Sequence, residues 1–299
     1  MKMILTIIFR LTVSCLIAGT IMGATFVFTN KAKKANEHAR EEKVMYALLG
    51  YGADQEPDEG MALHEIFRYI VADGDSQSIG YLLPAGHHGE DAGFVFVQLS
   101  LEGDFVSTTA IPLSEEKARE QGDRDNAVQT ALGSSQIARF VDQVMVVTED
   151  GSRQAYLLSG KFPGYKTNIA IILALDPAYS IIGFEVMEHE EDPGLGAEIE
   201  QDYFKNQFKH KPLEKIKQLQ VVKEPLPDEY YNALEGKMEL AAAEQIMLQY
   251  SDNDIYAITG STISSDAVTS GIRGMTKKFA YRLDTLEKVL EAQQIGVPF

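Results

Sequence analysis

Cysteine is almost absent from this sequence, and basic residues are in the minority. Cys15 is the one cysteine among 299 residues, so the chain cannot form an internal disulfide or supply the thiolates of an iron–sulfur or zinc cluster. Any redox chemistry must therefore come from a cofactor that needs no sulfur ligands. Lysine and arginine number 27 against 44 aspartate and glutamate residues, giving a net charge of −17. Such a surface repels phosphate backbones, which argues against nucleic acid as a partner.

The remaining composition is that of a folded protein. Hydrophobic residues make up 45% of the chain and charged residues 24%, which is enough apolar material for the core of one or two domains. This balance excludes intrinsic disorder and fibrous repeats. Neither an internal repeat nor a low-complexity tract is present.

The amino-terminal segment has the length of a membrane span. Leu11–Phe28 contains no charged residue, and as a helix it would cover roughly 27 Å, just enough to cross a bilayer core. We therefore expect residues 1–30 to form an anchor helix in the lipid bilayer. A cleaved signal peptide is the alternative, because the run contains small residues. Basic residues lie on both sides of the span, so charge alone leaves its orientation open.

The next two segments differ in character. Residues 31–49 are rich in helix formers and predict a solvated helical linker, which Gly50 and Gly52 would end. Residues 50–150 form an acidic amino-terminal part of the soluble body, with a strand expected at Gly93–Ser100 and a hairpin turn at Glu102–Asp104. The simplest interpretation of this acidic part is a solubilising surface.

Residues 151–299, and the strand just before them, show the clearest pattern. Four apolar segments alternate with turns that contain glycine or proline, namely FVDQVMVVT, QAYLLSG, TNIAIILALD and IIGFEVMEH. Their close spacing indicates an antiparallel sheet. A strand around LQVVK and a helix near Leu240–Tyr250 follow. Asp266–Gln294 carries apolar residues at steps of three and four and predicts a long amphipathic helix. The expected fold class is α+β, an antiparallel sheet body with a long carboxy-terminal helix, preceded by one transmembrane helix.

A turn before this helix could bind an anion. Thr259, Gly260, Ser261, Thr262 and Ser264 lie where the chain enters the helix. Glycine permits close backbone approach, and the first helical N–H groups favour a phosphate. Simple capping of the helix by Ser264 or Ser265 explains the same residues, and the two roles can coexist.

A second polar segment is His189–Gly196, HEEDPGLG, directly after an apolar strand. Its proline and glycines predict a tight exposed loop. A metal site is disfavoured because consecutive loop residues rarely all face one ion. A polar turn without any ligand is the plain alternative.

Together these two segments resemble a known family. The loop is similar to the H-x-E-T-P-G-L-G loop, and Thr259–Thr262 is similar to the S/T-G-A-T flavinylation motif, of the FMN-binding domain family. That family includes the G subunit of the Rnf electron-transport complex and the C subunit of the sodium-translocating NADH:quinone reductase. ISSDAVTS, which follows the second motif, is closer to the Rnf version, and Gly160–Tyr165 resembles the family's glycine and tyrosine turn. The resemblance covers roughly residues 155–290 and the amino-terminal helix.

The resemblance implies a covalent cofactor. Thr262 would be esterified to the phosphate of FMN by a separate flavin transferase that uses FAD, with Thr259, Gly260, Ser261 and Ser264 around the phosphate. Asp192, Gly194 and Leu195 would lie against the isoalloxazine ring. Two residues depart from the family pattern: Ser261 stands where alanine is usual and is a rival hydroxyl, and Asp192 stands where threonine is usual and would disfavour an anionic reduced flavin.

The implied function is electron transfer within a membrane-bound, ion-translocating complex of the Rnf type. Its partners would be the other membrane subunits, and the chain would cross the bacterial cytoplasmic membrane once with its body on the periplasmic side. The C subunit of the sodium-translocating reductase and a stand-alone membrane-anchored flavin reductase remain alternatives. A membrane-anchored scaffold without a flavin is a further one.

Overall fold

The computed structural model describes residues 2–52, 55, 57–58, 60–85 and 93–299. Short 3-10 turns occupy Gly196–Glu200 and Asn206–Phe208. The helices and strands, in chain order, are α1 (Lys2–Leu48), β1 (Met61–Asp73), β2 (Ser76–Pro84), β3 (Phe94–Ser100), β4 (Phe105–Ile111), α2 (Glu115–Arg119), α3 (Gln121–Leu132), β5 (Gln136–Glu149), β6 (Ser152–Pro163), β7 (Asn168–Leu175), β8 (Ile181–Glu188), α4 (Asp202–Lys205), α5 (Leu213–Ile216), β9 (Val221–Val222), α6 (Asp228–Leu234), α7 (Leu240–Gln249), β10 (Ile255–Tyr256) and α8 (Thr262–Ala292).

One eight-stranded sheet organises the body. Its strand order is β4-β3-β2-β1-β5-β6-β7-β8, and every neighbouring pair is antiparallel. The α+β class with an antiparallel sheet, expected from the closely spaced apolar segments, is therefore confirmed. The acidic part of the chain supplies β1–β4 to this same sheet, so it is more than a solubilising surface.

Helix α8 lies on one face of the sheet. Its apolar positions at steps of three and four are buried or partly buried in the main core, together with side chains of β6, β7 and β8. The amphipathic helix is thus confirmed, but its bounds differ from Asp266–Gln294. It begins at Thr262, because the small polar residues before Asp266 form its first turn, and it ends at Ala292.

Helix α1 runs without a break from Lys2 to Leu48. The expected anchor and linker are therefore one continuous helix. Its segment Thr6–Phe26 has the length and composition of a membrane span, with a mean hydropathy of 1.8, and none of that span is buried. A signal sequence has the same features. At its other end, Val44, Met45 and Leu48 pack against the face of the sheet opposite α8.

Candidate functional site

Three segments that are distant in sequence meet at the start of α8. They are the turn after β6, the loop after β8 and the turn that leads into α8. Glu191 connects all three and is only 4% exposed. One carboxylate oxygen accepts hydrogen bonds from the backbone N–H groups of Tyr165, at 2.8 Å, and Lys166, at 3.2 Å. The other accepts one from the hydroxyl of Ser264. The loop expected to be tight and exposed thus contains a buried carboxylate.

Two glycines make room for this carboxylate. A Cβ atom added to Gly164 would lie 2.6 Å from Oε1 of Glu191. One added to Gly196 would lie 2.7 Å from both Oε2 of Glu191 and Oγ of Ser264. Such distances are shorter than van der Waals contact, so both positions require glycine for the Glu191 contacts to form.

His189 holds the loop from its other side. The backbone N–H of Glu191 donates to Nδ1 of His189 at 3.0 Å, so the ring proton lies on Nε2, which is 2.9 Å from a carboxylate oxygen of Glu200. Both ring nitrogens therefore have partners within the protein. Among the described residues, no group of three or more histidine, cysteine or acidic side chains could hold a metal ion.

The first turn of α8 is not capped by a side chain. Ser261 is the N-cap residue, and its side chain makes no capping hydrogen bond. The expected capping by Ser264 or Ser265 is wrong, since both lie inside the helix. The Ser265 hydroxyl instead accepts the backbone N–H of Ile258 and donates to the carbonyl of Ser261, both at 3.0 Å. The backbone N–H groups of residues 262–264 have no acceptor within the described chain and remain available to an anion, whereas that of Ser265 donates to the carbonyl of Ser261.

The hydroxyls around this turn have different surroundings. Ser261 is 8% exposed, and its hydroxyl donates to Oγ of Ser264 at 3.1 Å. The Ser264 proton goes to Glu191. Thr262 is partly exposed, and the described residues offer no hydrogen-bond partner to its hydroxyl. Thr259 is exposed, one residue before Gly260. Of the hydroxyls in the first turn, that of Thr262 is thus the one left accessible and unpaired.

The loop and the turn touch at Leu195. Gly260 has a φ of +80°, a conformation that glycine adopts without strain. A Cβ atom there would lie 3.2 Å from Cδ2 of Leu195. Leu195, Tyr165 and Ile263 are large apolar side chains that are 46%, 58% and 62% exposed. The three come from the three converging segments, and Leu195, which lies against Gly260, and Ile263 place apolar surface next to Thr262.

A lysine accompanies the unusual aspartate. Asp192 forms an ion pair with Lys166, and this hydrogen bond raises the pKa of the lysine. The backbone carbonyl of Asp192 accepts the N–H groups of Leu195 and Ala197 at 3.1 and 3.0 Å, which closes the loop around Gly194, whose φ is +72°. The negative charge of Asp192 is therefore screened by a neighbouring cation.

This arrangement fits a phosphate joined to a flat aromatic ring. Unpaired N–H groups at a helix start bind phosphate, and the positive end of the helix dipole stabilises its charge. The exposed Leu195, Tyr165 and Ile263 offer contacts to an aromatic ring system. FMN combines both chemical parts, so the residues present fit this cofactor.

Sequence reasoning found part of this site. It singled out Thr262, Gly260 and Leu195, which the fold brings together. It missed the contributions of Glu191 and Lys166. Glu191 lies inside the motif, but the sequence does not show that Glu191 is buried while Glu190 is exposed. That difference depends on which of the two side chains faces the turn after β6.

Comparison with known proteins finds a family match for the region that contains this site. Residues 164–277 match the family described as FMN-binding domain, and the resemblance inferred from the two motifs is confirmed. All three converging segments lie within these residues.

The relatives found by sequence are named as G subunits of redox complexes. The chain is 32% identical over 119 residues to the G subunit of the proton-translocating ferredoxin:NAD(+) oxidoreductase complex of Clostridium ljungdahlii, covering 40% of this chain and 50% of that one. It is 34% identical over 64 residues to the G subunit of the ion-translocating oxidoreductase complex of Pasteurella multocida, covering 21% of this chain and 32% of that one. The matches thus span half or less of these relatives. The crystal structure of Shewanella oneidensis NqrC aligns with a TM-score of 0.41 and 14% identity, over 80% of this chain and 91% of that one.

Proposed function

We propose that this protein is an electron-transfer subunit of a membrane-bound, ion-translocating redox complex of the Rnf type, and that it carries FMN joined by a phosphoester to Thr262. The observation that carries this proposal is the position of one accessible, unpaired hydroxyl at the uncapped start of α8, inside a matched FMN-binding domain.

The surroundings favour Thr262 over Ser261 as the attachment residue. Ser261 is buried and its hydroxyl donates to Ser264, so a transferase would have to break the inward hydrogen bond to reach it. Thr262 requires no such change. The first N–H groups of α8 would then hold the remaining negative charge of the phosphodiester. Ser264 would contribute its backbone N–H, since its hydroxyl proton is held by Glu191.

Other residues would position the ring and influence its charge. When bound, FMN supplies a ring system that accepts electrons and passes them on. Leu195, with Gly194 beside it, would give apolar contact and exclude water from one part of the ring. Lys166 would offset the charge of Asp192, so that this departure from the family pattern disfavours the reduced flavin less than an unpaired aspartate would.

The assembly is inferred from the relatives. The relatives found by sequence are named as subunits of ion-translocating oxidoreductase complexes, so we propose other membrane subunits as partners and a flavin transferase for maturation. The apolar span Thr6–Phe26 would hold the chain in the bacterial cytoplasmic membrane, with residues 50–150 and 151–299 on the periplasmic side. The C subunit of a sodium-translocating quinone reductase is less favoured because the sequence relatives are named as G subunits, and co-purification of the native partners distinguishes the two.

The attachment site is tested with two matched variants. We expect the full chain, expressed with a flavin transferase, to give a band on a denaturing gel that fluoresces under ultraviolet light. Thr262→Ala should abolish this fluorescence, whereas Ser261→Ala should retain it. A fluorescent Thr262→Ala band would refute the assignment. A colourless wild-type protein after co-expression would favour a scaffold without flavin, and covalent flavin in a protein that reduces small acceptors unaided would favour a stand-alone reductase.

A further inference from the structure

The large sheet forks between β5 and β6. These strands pair only from Val144–Leu158 to Glu149–Ser152. Beyond that point β5 continues along β1 as far as Gln136, while β6 continues along β7 as far as Pro163. Within the described chain, residues 140–143 and 159–163 therefore each have a ladder partner on one side only.

Two local features separate the strands. The register between β1 and β5 shifts at Arg68 and Tyr69, whose partners are Asp142 and Phe140, so Val141 is an extra residue that bends β5. On the other side, β6 follows α8 closely. A Cβ atom at Gly160 would lie 2.3 Å from the Met275 side chain, and one at Gly271 would lie 2.4 Å from the ring of Phe162. β5 therefore remains paired with β1, whereas β6 packs against α8.

A groove of about 1180 Å³ occupies the fork. Its walls are residues 140–144 of β5, residues 158–163 of β6 and Gly164 after it, and part of α8 lines it as well. In the described chain, hydrogen bonds from the backbone groups of 140–143 and 159–163 go only to β1 and β7. The groups that point into the groove are the unpaired donors and acceptors of two strand edges, which is the arrangement that accepts an added strand.

The groove also contains an incompletely paired cation. Asp142 binds the Arg68 guanidinium through both carboxylate oxygens. Arg282 approaches the same carboxylate at 3.7 Å, and it makes no hydrogen bond within the described chain. Its side chain is only 34% exposed, and burial, followed by the charge of Arg68, lowers its pKa. A half-buried guanidinium with a shared counterion calls for a further acceptor.

Arg282 is the cation of the lining that favours an acidic ligand. Four cationic side chains and three acidic ones line the groove, namely Arg68, Lys161, Lys278, Arg282, Glu41, Asp142 and Asp266. Arg68 is paired with Asp142, and Lys161 is paired with Glu188, so the groove with these partners is close to neutral. The preference for a carboxylate therefore comes from Arg282 and its shared counterion.

We propose that this groove binds an extended, acidic segment of a partner protein as an added β-strand. The backbone of that segment pairs with the open edges of β5 and β6, and one of its carboxylates binds Arg282. Four or five extended residues, about 15 Å, would cover residues 159–163. Ile263, next to Thr262, also lines the groove, so the bound segment would end close to the proposed flavin residue. The binding itself does not depend on the flavin.

The test uses the full chain in detergent and a displayed library of random nine-residue peptides. We expect the selected peptides to combine an aspartate or glutamate with β-branched or aromatic residues at alternate positions. For a resynthesised selected peptide, Arg282→Gln should weaken binding by about tenfold or more, whereas Lys277→Gln, an exposed neighbour outside the groove, should not. Arg282→Gln leaves the Arg68–Asp142 pair in place, and thermal unfolding checks that it folds.

Three further measurements distinguish an acidic strand from other ligands. Binding of the peptide should slow hydrogen exchange of amides in 140–143 and 159–163, and methylation of alternate peptide amides should abolish binding. A library selected on Arg282→Glu should yield lysine or arginine in place of the acid. Methylated peptides that bind equally well would show a ligand held by side chains alone, and unchanged selection by Arg282→Glu, or no selected peptide, would overturn the proposal.

Discussion

Replacement of Glu191 by alanine should destabilise the body strongly, because this carboxylate joins the three segments of the site. Its removal leaves the N–H groups of Tyr165 and Lys166 and the hydroxyl of Ser264 without their acceptor. Each buried group that loses its partner costs about 1–3 kcal/mol, so the loss of three such contacts should cost about 3–5 kcal/mol in total. For a body of this size, that corresponds to a fall in Tm of roughly 10 °C.

Glutamine at the same position should cost less. Its carbonyl oxygen can still accept from the two N–H groups, and its amide can donate to Oγ of Ser264. We expect a loss of about 1–2 kcal/mol for Glu191→Gln. Glu190→Ala is the matched control, because Glu190 is the exposed neighbour in the same loop, and it should change stability by less than about 0.5 kcal/mol.

Thermal unfolding of the full chain in detergent, followed by circular dichroism, measures these differences. Hydrogen exchange of peptides covering 164–167 and 261–265 should accelerate in Glu191→Ala, showing that the loss is local to the site. Equal Tm values for Glu191→Ala and Glu190→Ala would refute the role given to this carboxylate.

Three further changes test other parts of the structure. Gly196→Ala should cost about 1–3 kcal/mol by overpacking against Glu191 and Ser264, whereas Gly274→Ala, at an open position in α8, should stabilise by about 0.5–1 kcal/mol; equal unfolding free energies would contradict the close approach. If FMN binds as proposed, Lys166→Gln should lower the midpoint potential of the flavin by about 10–20 mV, because Asp192 is left unpaired. Lys166→Gln combined with Asp192→Asn should restore the potential, as measured by redox titration. A higher potential in Lys166→Gln would contradict the screening of Asp192 by Lys166. Buried Lys211 donates to three backbone carbonyls, and burial lowers its pKa from 10.5 to about 8. Between these pH values the folded state therefore binds fewer protons than the unfolded state. The free energy of unfolding should rise by up to about 2 kcal/mol from pH 8 to 9.5. Denaturation at several pH values should show a smaller rise in the unfolding free energy of Lys211→Met. If the unfolding free energies of the two proteins changed equally with pH, Lys211 would not be the source of the rise.

The strands and the last helix could be predicted because the pattern of apolar residues in the sequence matches the side chains that they bury. The segments that became β6, β7 and β8 are apolar runs between turns of glycine and proline, and the apolar positions of α8 recur at steps of three and four. Hydrophobic patterning is dominated by the core, so it locates such elements well.

The predicted start of α8 is four residues too late for a physical reason. Thr262, Ser264 and Ser265 are small polar residues that serve equally well as caps and as first-turn residues. The choice depends on a tertiary contact, the bond of Ser264 to Glu191, and on the bond of Ser265 back to Ile258. Neither contact has a local sequence signal.

The fork in the sheet was also beyond prediction. The segments of β5 and β6 look like an ordinary hairpin, with Glu149, Asp150 and Gly151 at the turn. Their separation depends on the bulge at Val141 and on the close packing of Gly160 against Met275. Both are properties of the assembled layers.

The most direct test of the central claim is the mass of the full chain after maturation with a flavin transferase, followed by mapping of its peptides. We predict a mass increase equal to one FMN minus one water, as expected when the threonine hydroxyl displaces AMP from FAD, located on the peptide that contains Thr262 and on that threonine. A peptide of unmodified mass, or an adduct on Ser261, would contradict the account.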